Sequence, residues 1–216
     1  MSGLVIFDFD NTIVHSQIDF AGIRRDLIGL VRARGVTAET DDNLKRLSIG
    51  QIIALGETHD EQVGASAWRI VLEYERAGMQ AASVEPLASE SLGALRRTGF
   101  RLAILTNNAR PGTLDALDKF GLRGAFDLVL TRDEVPMKPD ATGLQEARAR
   151  FDGVSARTVM IGDSWLDGTA AQRARVPFIA FRPRPGVLEE RSIPVWTVVQ
   201  GLNEIPPLLA GPWPGG

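Results

Sequence analysis

The sequence contains no cysteine. Disulfides, zinc–thiolate centres and thiol nucleophiles are therefore excluded. Histidine is almost as scarce: His15 and His59 are the only two, too few for a histidine-rich metal site. No charge of one sign dominates, since 24 Lys and Arg stand against 27 Asp and Glu, a formal net charge of −3. That balance gives no electrostatic reason to bind nucleic acid or an anionic membrane. Long apolar runs are missing as well. The first run, residues 4–7, stops at Asp8, far too short for a signal peptide or a membrane span. A cytoplasmic protein with no nucleic-acid or membrane partner is the expectation. No G-x-x-x-x-G-K-[ST] loop occurs, and Leu166 breaks any G-x-S-x-G pattern at Gly162.

What is present is ordinary globular composition, with 44% hydrophobic and 24% charged residues in 216. Short apolar runs recur at 4–7, 102–105, 126–130, 158–161, 178–181 and 195–199. Runs of this length without alternation are what strands buried on both faces look like. Between them lie helical faces such as Leu114, Leu117 and Phe120, or Leu144, Ala147 and Phe151. The expected fold is α/β, a doubly wound, Rossmann-like parallel sheet. One stretch interrupts the alternation. Phe20, Ile23, Leu27 and Leu30, and later Val63, Ala67, Ile70, Tyr74 and Ala77, recur at helical spacing. Residues 15–82 are thus expected to form a small helical domain inserted into a core of 1–14 and 83–210. The Pro/Gly-rich 211–216 is expected to be a flexible tail.

In open parallel sheets, ligands bind beyond the C-terminal ends of the strands. The residues there are Asp8-Phe9-Asp10-Asn11-Thr12, Thr106-Asn107-Asn108, Lys138-Pro139 and Gly162-Asp163-Ser164-Trp165-Leu166-Asp167. Singly, each is ordinary turn or cap chemistry. Together they bring Asp8, Asp10, Asp163 and Asp167 toward one sheet edge. Two carboxylates about 4 Å apart repel by about 4 kcal/mol at an effective dielectric near 20. Such a cluster needs a cation or shared protons, and all-oxygen donors without His or Cys select Mg²⁺ over Zn²⁺. Mg²⁺ with carboxylates suits phosphoryl chemistry, with Thr106 and Lys138 as further phosphate contacts.

Four ordered segments resemble the motifs of the haloacid dehalogenase-like superfamily, and within it the phosphoglycolate phosphatase-like members with a helical cap. They are residues 5–12, 105–108, 137–139 and 161–167, with the helical insertion between the first two. The resemblance implies that Asp8 attacks phosphorus and forms an aspartyl-phosphate. It implies that Asp10 protonates the leaving oxygen and later deprotonates water. Thr106 and Lys138 would hold the phosphate, helped by backbone N–H groups near Asn107 and Asn108. Asp8, Asp163 and the Asp10 carbonyl would ligate Mg²⁺, with Asp167 in or just behind that shell. The implied partner is a small-molecule phosphate ester, with the chain as monomer or homodimer. Three positions depart from the pattern: Asn11 and Arg175 replace glycines, and His15 replaces an acidic residue. Asn tolerates a left-handed turn.

Asp10 disfavours a dehalogenase, because a halide needs no proton to leave. A sugar-phosphate mutase shares all four motifs and stays as the alternative. A receiver domain lacks the Asp163/Asp167 pair and the insertion, and a noncatalytic module has no reason to keep the site intact. A phosphonate-cleaving enzyme would need a cap lysine near the site, and Lys45 sits on a mostly polar helix. Trp68, Tyr74 and Trp165 could line a pocket, and Arg24 and Arg25 could meet a substrate anion, but helix-spaced aromatics are more often core and helix-surface arginines mostly solvated.

Overall fold

The computed structural model describes residues 3–151 and 157–214. The chain divides into two compact units, one formed by Met1–His15 with Ser83–Gly216, the other by Ser16–Ala82.

The first unit opens with β1 (Gly3–Phe7). A two-residue strand, β2 (Val14–His15), leads into the other unit. The other unit holds α1 (Phe20–Ala33), α2 (Asp41–Arg46), α3 (Ile49–His59) and α4 (Glu61–Gln80). The chain returns through β3 (Ser83–Val84), then α5 (Ala88–Arg97), β4 (Phe100–Leu105), α6 (Arg110–Lys119) and β5 (Leu128–Leu130). It ends with α7 (Thr142–Ala149), β6 (Thr158–Gly162), α8 (Trp165–Ala174), β7 (Phe178–Phe181), α9 (Val187–Glu190), β8 (Thr197–Val199) and α10 (Ile205–Ala210).

The main sheet has the order β5-β4-β1-β6-β7-β8, and every pair in it is parallel. The chain winds outward from β1 in both directions. Hence β1 lies at the centre, where the winding reverses, flanked by β4 and β6. Crevices open at such a reversal. β1 is fully buried, with Leu4, Val5 and Ile6 at 0% exposure. Both of its faces are therefore covered, and an unbroken apolar run is the physical consequence. Leu4 and Ile6 share one face with Ala103, Leu105, Met160 and Ala180. Small residues of α7 and α8, Ala147, Ala170, Ala171 and Ala174, join that cluster and let the helices approach closely.

The strands stand where the apolar runs predict them, with β5 and β8 starting later than their runs and β1 and β4 earlier. Phe126 precedes β5, because a 3₁₀ turn at Arg123–Ala125 occupies the approach. Its ring instead meets Phe7 edge-on, centroids 6.3 Å apart. The tail differs from the expected flexible segment at Trp213, which stacks on Phe100 at 6.3 Å and meets Trp196 at 5.4 Å. Gly215 and Gly216 lie outside the described residues.

In the helical unit, α1 buries Ile23, Leu27 and Val31, while Phe20 is exposed. α4 buries Val63, Ala67, Val71, Gly78 and Met79. The buried stripe thus runs through Val71 and Gly78, displaced from the expected Ile70, Tyr74 and Ala77. Gly78 explains the displacement. A Cβ there would lie 2.6 Å from Ile18 Cα, so the helix backbone itself packs on the segment that precedes α1. Asp19, Thr40, Ser48 and Asp60 cap the four helix starts by accepting from backbone N–H groups, each such cap contributing about 1 kcal/mol.

Candidate active site

The central loop follows β1. Asn11 takes φ +56°, the left-handed conformation that asparagine adopts more readily than most residues. This turn lets Thr12, Ile13 and Val14 aim their N–H groups at the Phe9 carbonyl, and it leaves Asp8 and Asp10 at the strand end. Asp8 N–H is itself tied to the Ile161 carbonyl at 2.8 Å.

Three other strands and one helix deliver the remaining groups. Thr106 follows β4, with its N–H on the Leu130 carbonyl at 3.0 Å. Lys138 arrives from the loop after β5, and Asp163 follows β6. Asp167 sits in the first turn of α8. Lys138 Nζ donates to Asp8 Oδ1 at 2.5 Å and to Asp167 Oδ1 at 2.6 Å. Asp8, Lys138 and Asp167 are 7%, 5% and 0% exposed, so this charge cluster is almost dry. Asp167 Oδ2 accepts from the Ser164 N–H at 3.0 Å and from the Ser164 hydroxyl at 2.6 Å. Both its oxygens are therefore engaged. Gly162 makes room for it, since a Cβ there would stand 2.5 Å from Asp167 Cγ.

Asn107 binds by its side chain as well as presenting its backbone. Its Nδ2 donates to the Lys138 carbonyl at 2.9 Å, and its Oδ1 accepts from the Lys138 N–H at 2.7 Å. This two-point clamp fixes the backbone of the residue whose ammonium enters the cluster. Arg132 Nη1 in turn donates to the Asn107 carbonyl at 2.9 Å. The Asn108 side chain donates to Asp10 Oδ2. The sequence reading had no means of finding these side-chain partners.

Carboxylate oxygens of Asp8, Asp163 and Asp167 lie within 4.8 Å of one another. The crowding has an electrostatic signature. Burial pushes the Asp8 carboxyl well above the ordinary carboxylate value; Asp167 and Asp163 add to the push, and Lys138 opposes it. Burial, then Asp167 and Asp10, push Asp163 up to about 7 against the pull of Lys138. Burial works to lower the Lys138 ammonium, but Asp167 and Asp8 outweigh it and hold the group above its ordinary value. One ammonium thus faces three carboxylates, and the donor set is all oxygen. These residues fit a hard divalent cation better than zinc.

A pH dependence follows. A carboxyl raised in the fold binds more protons there than in the unfolded chain. Its stabilisation is complete below 3.8, and it is lost as pH rises through about 7. Metal-free protein should therefore lose melting temperature between about pH 4 and about pH 7, and Asp163→Asn should flatten that slope. Thermal unfolding in chelator, wild type against variant, checks it. Parallel slopes would remove Asp163 from the account.

The other sequence candidates have partners of their own. Lys45 is exposed and pairs with Asp42 at 3.3 Å. Trp68 Nε1 donates to Glu57 at 2.8 Å. Tyr74 donates to Asp26 at 2.7 Å and accepts from Arg25 at 3.2 Å. Arg24 donates to the Leu47 carbonyl. Trp165 lies under the Arg191 guanidinium, 3.9 Å from ring centroid to Cζ. Arg175 holds φ +54° at the end of α8, where glycine would be unstrained. His15 pairs with Glu85. Glu85, 2% exposed, also takes a two-point ion pair from Arg182, at 2.7 and 3.0 Å. Its N–H holds the Ile13 carbonyl at 2.9 Å. Glu85 and Arg182 carry no local sequence signal, because they are 97 residues apart.

Known proteins resemble this chain over nearly its whole length. A relative from Agrobacterium fabrum, named phosphoglycolate phosphatase, is 32% identical over 190 residues, covering 83% of this chain and 80% of its own. One from Cereibacter sphaeroides with the same name is 28% identical over 212 residues, covering 95% and 96%. Among solved structures, a protein of Bacteroides fragilis described as haloacid dehalogenase-like superposes with a TM-score of 0.72 at 23% identity, covering 95% of this chain and 100% of its own. The sequence pattern of the haloacid dehalogenase-like hydrolases matches residues 5–181, which include every strand-end group described above. The chain belongs to the haloacid dehalogenase-like hydrolase family.

Proposed function

We propose that this hydrolase cleaves small-molecule phosphate monoesters, with Mg²⁺ as cofactor and Asp8 as nucleophile. The observation that carries the reading is the buried Lys138 ammonium, 2.5 Å from Asp8, within a group of three convergent carboxylates at the centre of the sheet. An anionic nucleophile and a dianionic ester repel each other, and fixed positive charge beside both is what their approach requires.

Asp8 attacks phosphorus while the ester P–O bond breaks, and Asp10 gives its proton to the departing oxygen. Water then attacks the aspartyl-phosphate, Asp10 takes the proton, and inorganic phosphate leaves with Asp8 regenerated. Covalent catalysis of this kind divides one difficult displacement into two. Thr106 and the N–H groups of Asn107 and Asn108 hold the phosphate oxygens, and Lys138 neutralises them. Asp8, Asp163 and the Asp10 carbonyl are the groups that would hold Mg²⁺. The engagement of Asp167 with Lys138 and Ser164 supports an ordering role behind that shell. When bound, the cation supplies positive charge to the transferring phosphoryl group.

The relatives' names make phosphoglycolate the first ester to try. Purified protein with Mg²⁺ should release inorganic phosphate from it or from another small monoester. Excess chelator should remove that release, and added Mg²⁺ restore it. Full activity in chelator would overturn the cofactor assignment. An isomerised phosphosugar in place of free phosphate would replace the hydrolase reading with the mutase one.

A further inference from the structure

We propose that the Asn108 side chain is the positioning residue that orients the Asp10 carboxyl for proton transfer. This rests on the phosphatase reading and adds to it a residue acting through Asp10.

Asn108 and Asp10 are 98 residues apart in sequence and belong to the ends of neighbouring strands, β4 and β1. They are 6% and 8% exposed, so water competes little for their contact. The Asn108 backbone is itself held at two points. Its N–H donates to Thr106 Oγ1 at 3.2 Å, and its carbonyl accepts from the Arg132 N–H at 3.3 Å. The carboxamide therefore extends from a fixed base. Asp10 sits just past the end of β1, next to the turn at Asn11.

The chemistry of the contact gives it direction. Nδ2 of an amide is only a donor. A carboxyl oxygen that accepts from it cannot turn an O–H toward it. When Asp10 serves as the acid with Oδ2 accepting from Asn108, Oδ1 is the oxygen that would carry the proton. Asn108 thus selects which oxygen delivers the proton and holds the plane of the carboxyl. The backbone N–H of Asn108, proposed for phosphate binding, is retained in any substitution. The side-chain role can therefore be separated from the backbone role.

The leaving group provides the separation. An alkoxide needs the proton from Asp10, whereas an activated phenolate leaves with little help. Asn108→Ala and the nearly isosteric Asn108→Leu would be examined by single-turnover rapid quench with Mg²⁺. The two esters are phosphoglycolate and para-nitrophenyl phosphate, with Asp10→Asn as the reference. The expected result is a fall of about 10–100-fold in the phosphorylation step for the alkyl ester, and of less than about 3-fold for the aryl ester. Asn108→Leu keeps the packing volume, and its melting temperature should stay near that of the wild type. Equal losses with both esters would assign Asn108 to phosphate binding and overturn the proposal. So would no loss with either. A wild-type protein that hydrolyses neither ester would defeat the phosphatase reading, and this proposal with it. An active wild type without the selective loss would defeat this proposal alone.

Discussion

Asp8→Asn should reduce turnover by at least about 10³-fold, in line with removal of a nucleophile from other covalent catalysts. The amide has the shape of the carboxylate but neither its charge nor its nucleophilicity. Its Oδ1 can still accept from Lys138, so the fold should persist. Indeed, burial and Asp167 already push the Asp8 carboxyl well above its ordinary value in the metal-free protein. The native fold therefore resists the Asp8 charge, and the variant should melt no lower than the wild type at neutral pH. Turnover and thermal unfolding measured on one preparation test both halves. A variant that keeps most of the wild-type rate, after checking for deamidation back to aspartate, would rule out the nucleophile. One that loses activity together with its fold would rule out the electrostatic account of the cluster.

Lys138→Met should harm stability and activity together. The thioether fills much the same volume without a charge. Asp8 and Asp167 then lose the ammonium that bridges them at 2.5 and 2.6 Å. Leaving buried charge uncompensated costs about 3–5 kcal/mol, so metal-free Lys138→Met should melt well below the wild type at neutral pH. Acid should narrow the gap, since protonated carboxylates no longer repel. Mg²⁺ should narrow it too, through the same oxygens. Activity should stay about 10²–10³-fold down even with saturating Mg²⁺, because in the proposed reaction Lys138 also neutralises the phosphoryl oxygens. A melting temperature unchanged in chelator would show that the three carboxylates do not need this cation. Full activity would remove Lys138 from the reaction.

The sheet was legible because burial on both faces leaves an unmistakable residue pattern. Runs such as Val5-Ile6-Phe7 and Ala103-Ile104-Leu105 have no polar alternation, and only a covered strand tolerates that. Their C-terminal neighbours then named the strand-end groups Asp8, Thr106 and Asp163. Less was legible where helical periodicity had to choose a face. The stripe of α4 runs through Val71 and Gly78, with Ala77 exposed. Gly78 packs by its backbone on Ile18, a contact that no hydropathy pattern encodes. The Glu85–Arg182 ion pair and the Asn107 clamp on Lys138 were likewise invisible, since each joins elements distant in sequence.

By itself the sequence determined the alternation of strands and helices and the types of group at the strand ends. These follow from local rules of periodicity, turn chemistry and burial that act over a few residues. Tertiary structure alone decided which partners those groups take. It gave Lys138 to both Asp8 and Asp167, Asn108 to Asp10, and Glu85 to His15 and Arg182. Hydrogen bonds and ion pairs depend on separations of a few tenths of an ångström between atoms up to 130 residues apart, and only the parallel register of β4, β1 and β6 brings those atoms together.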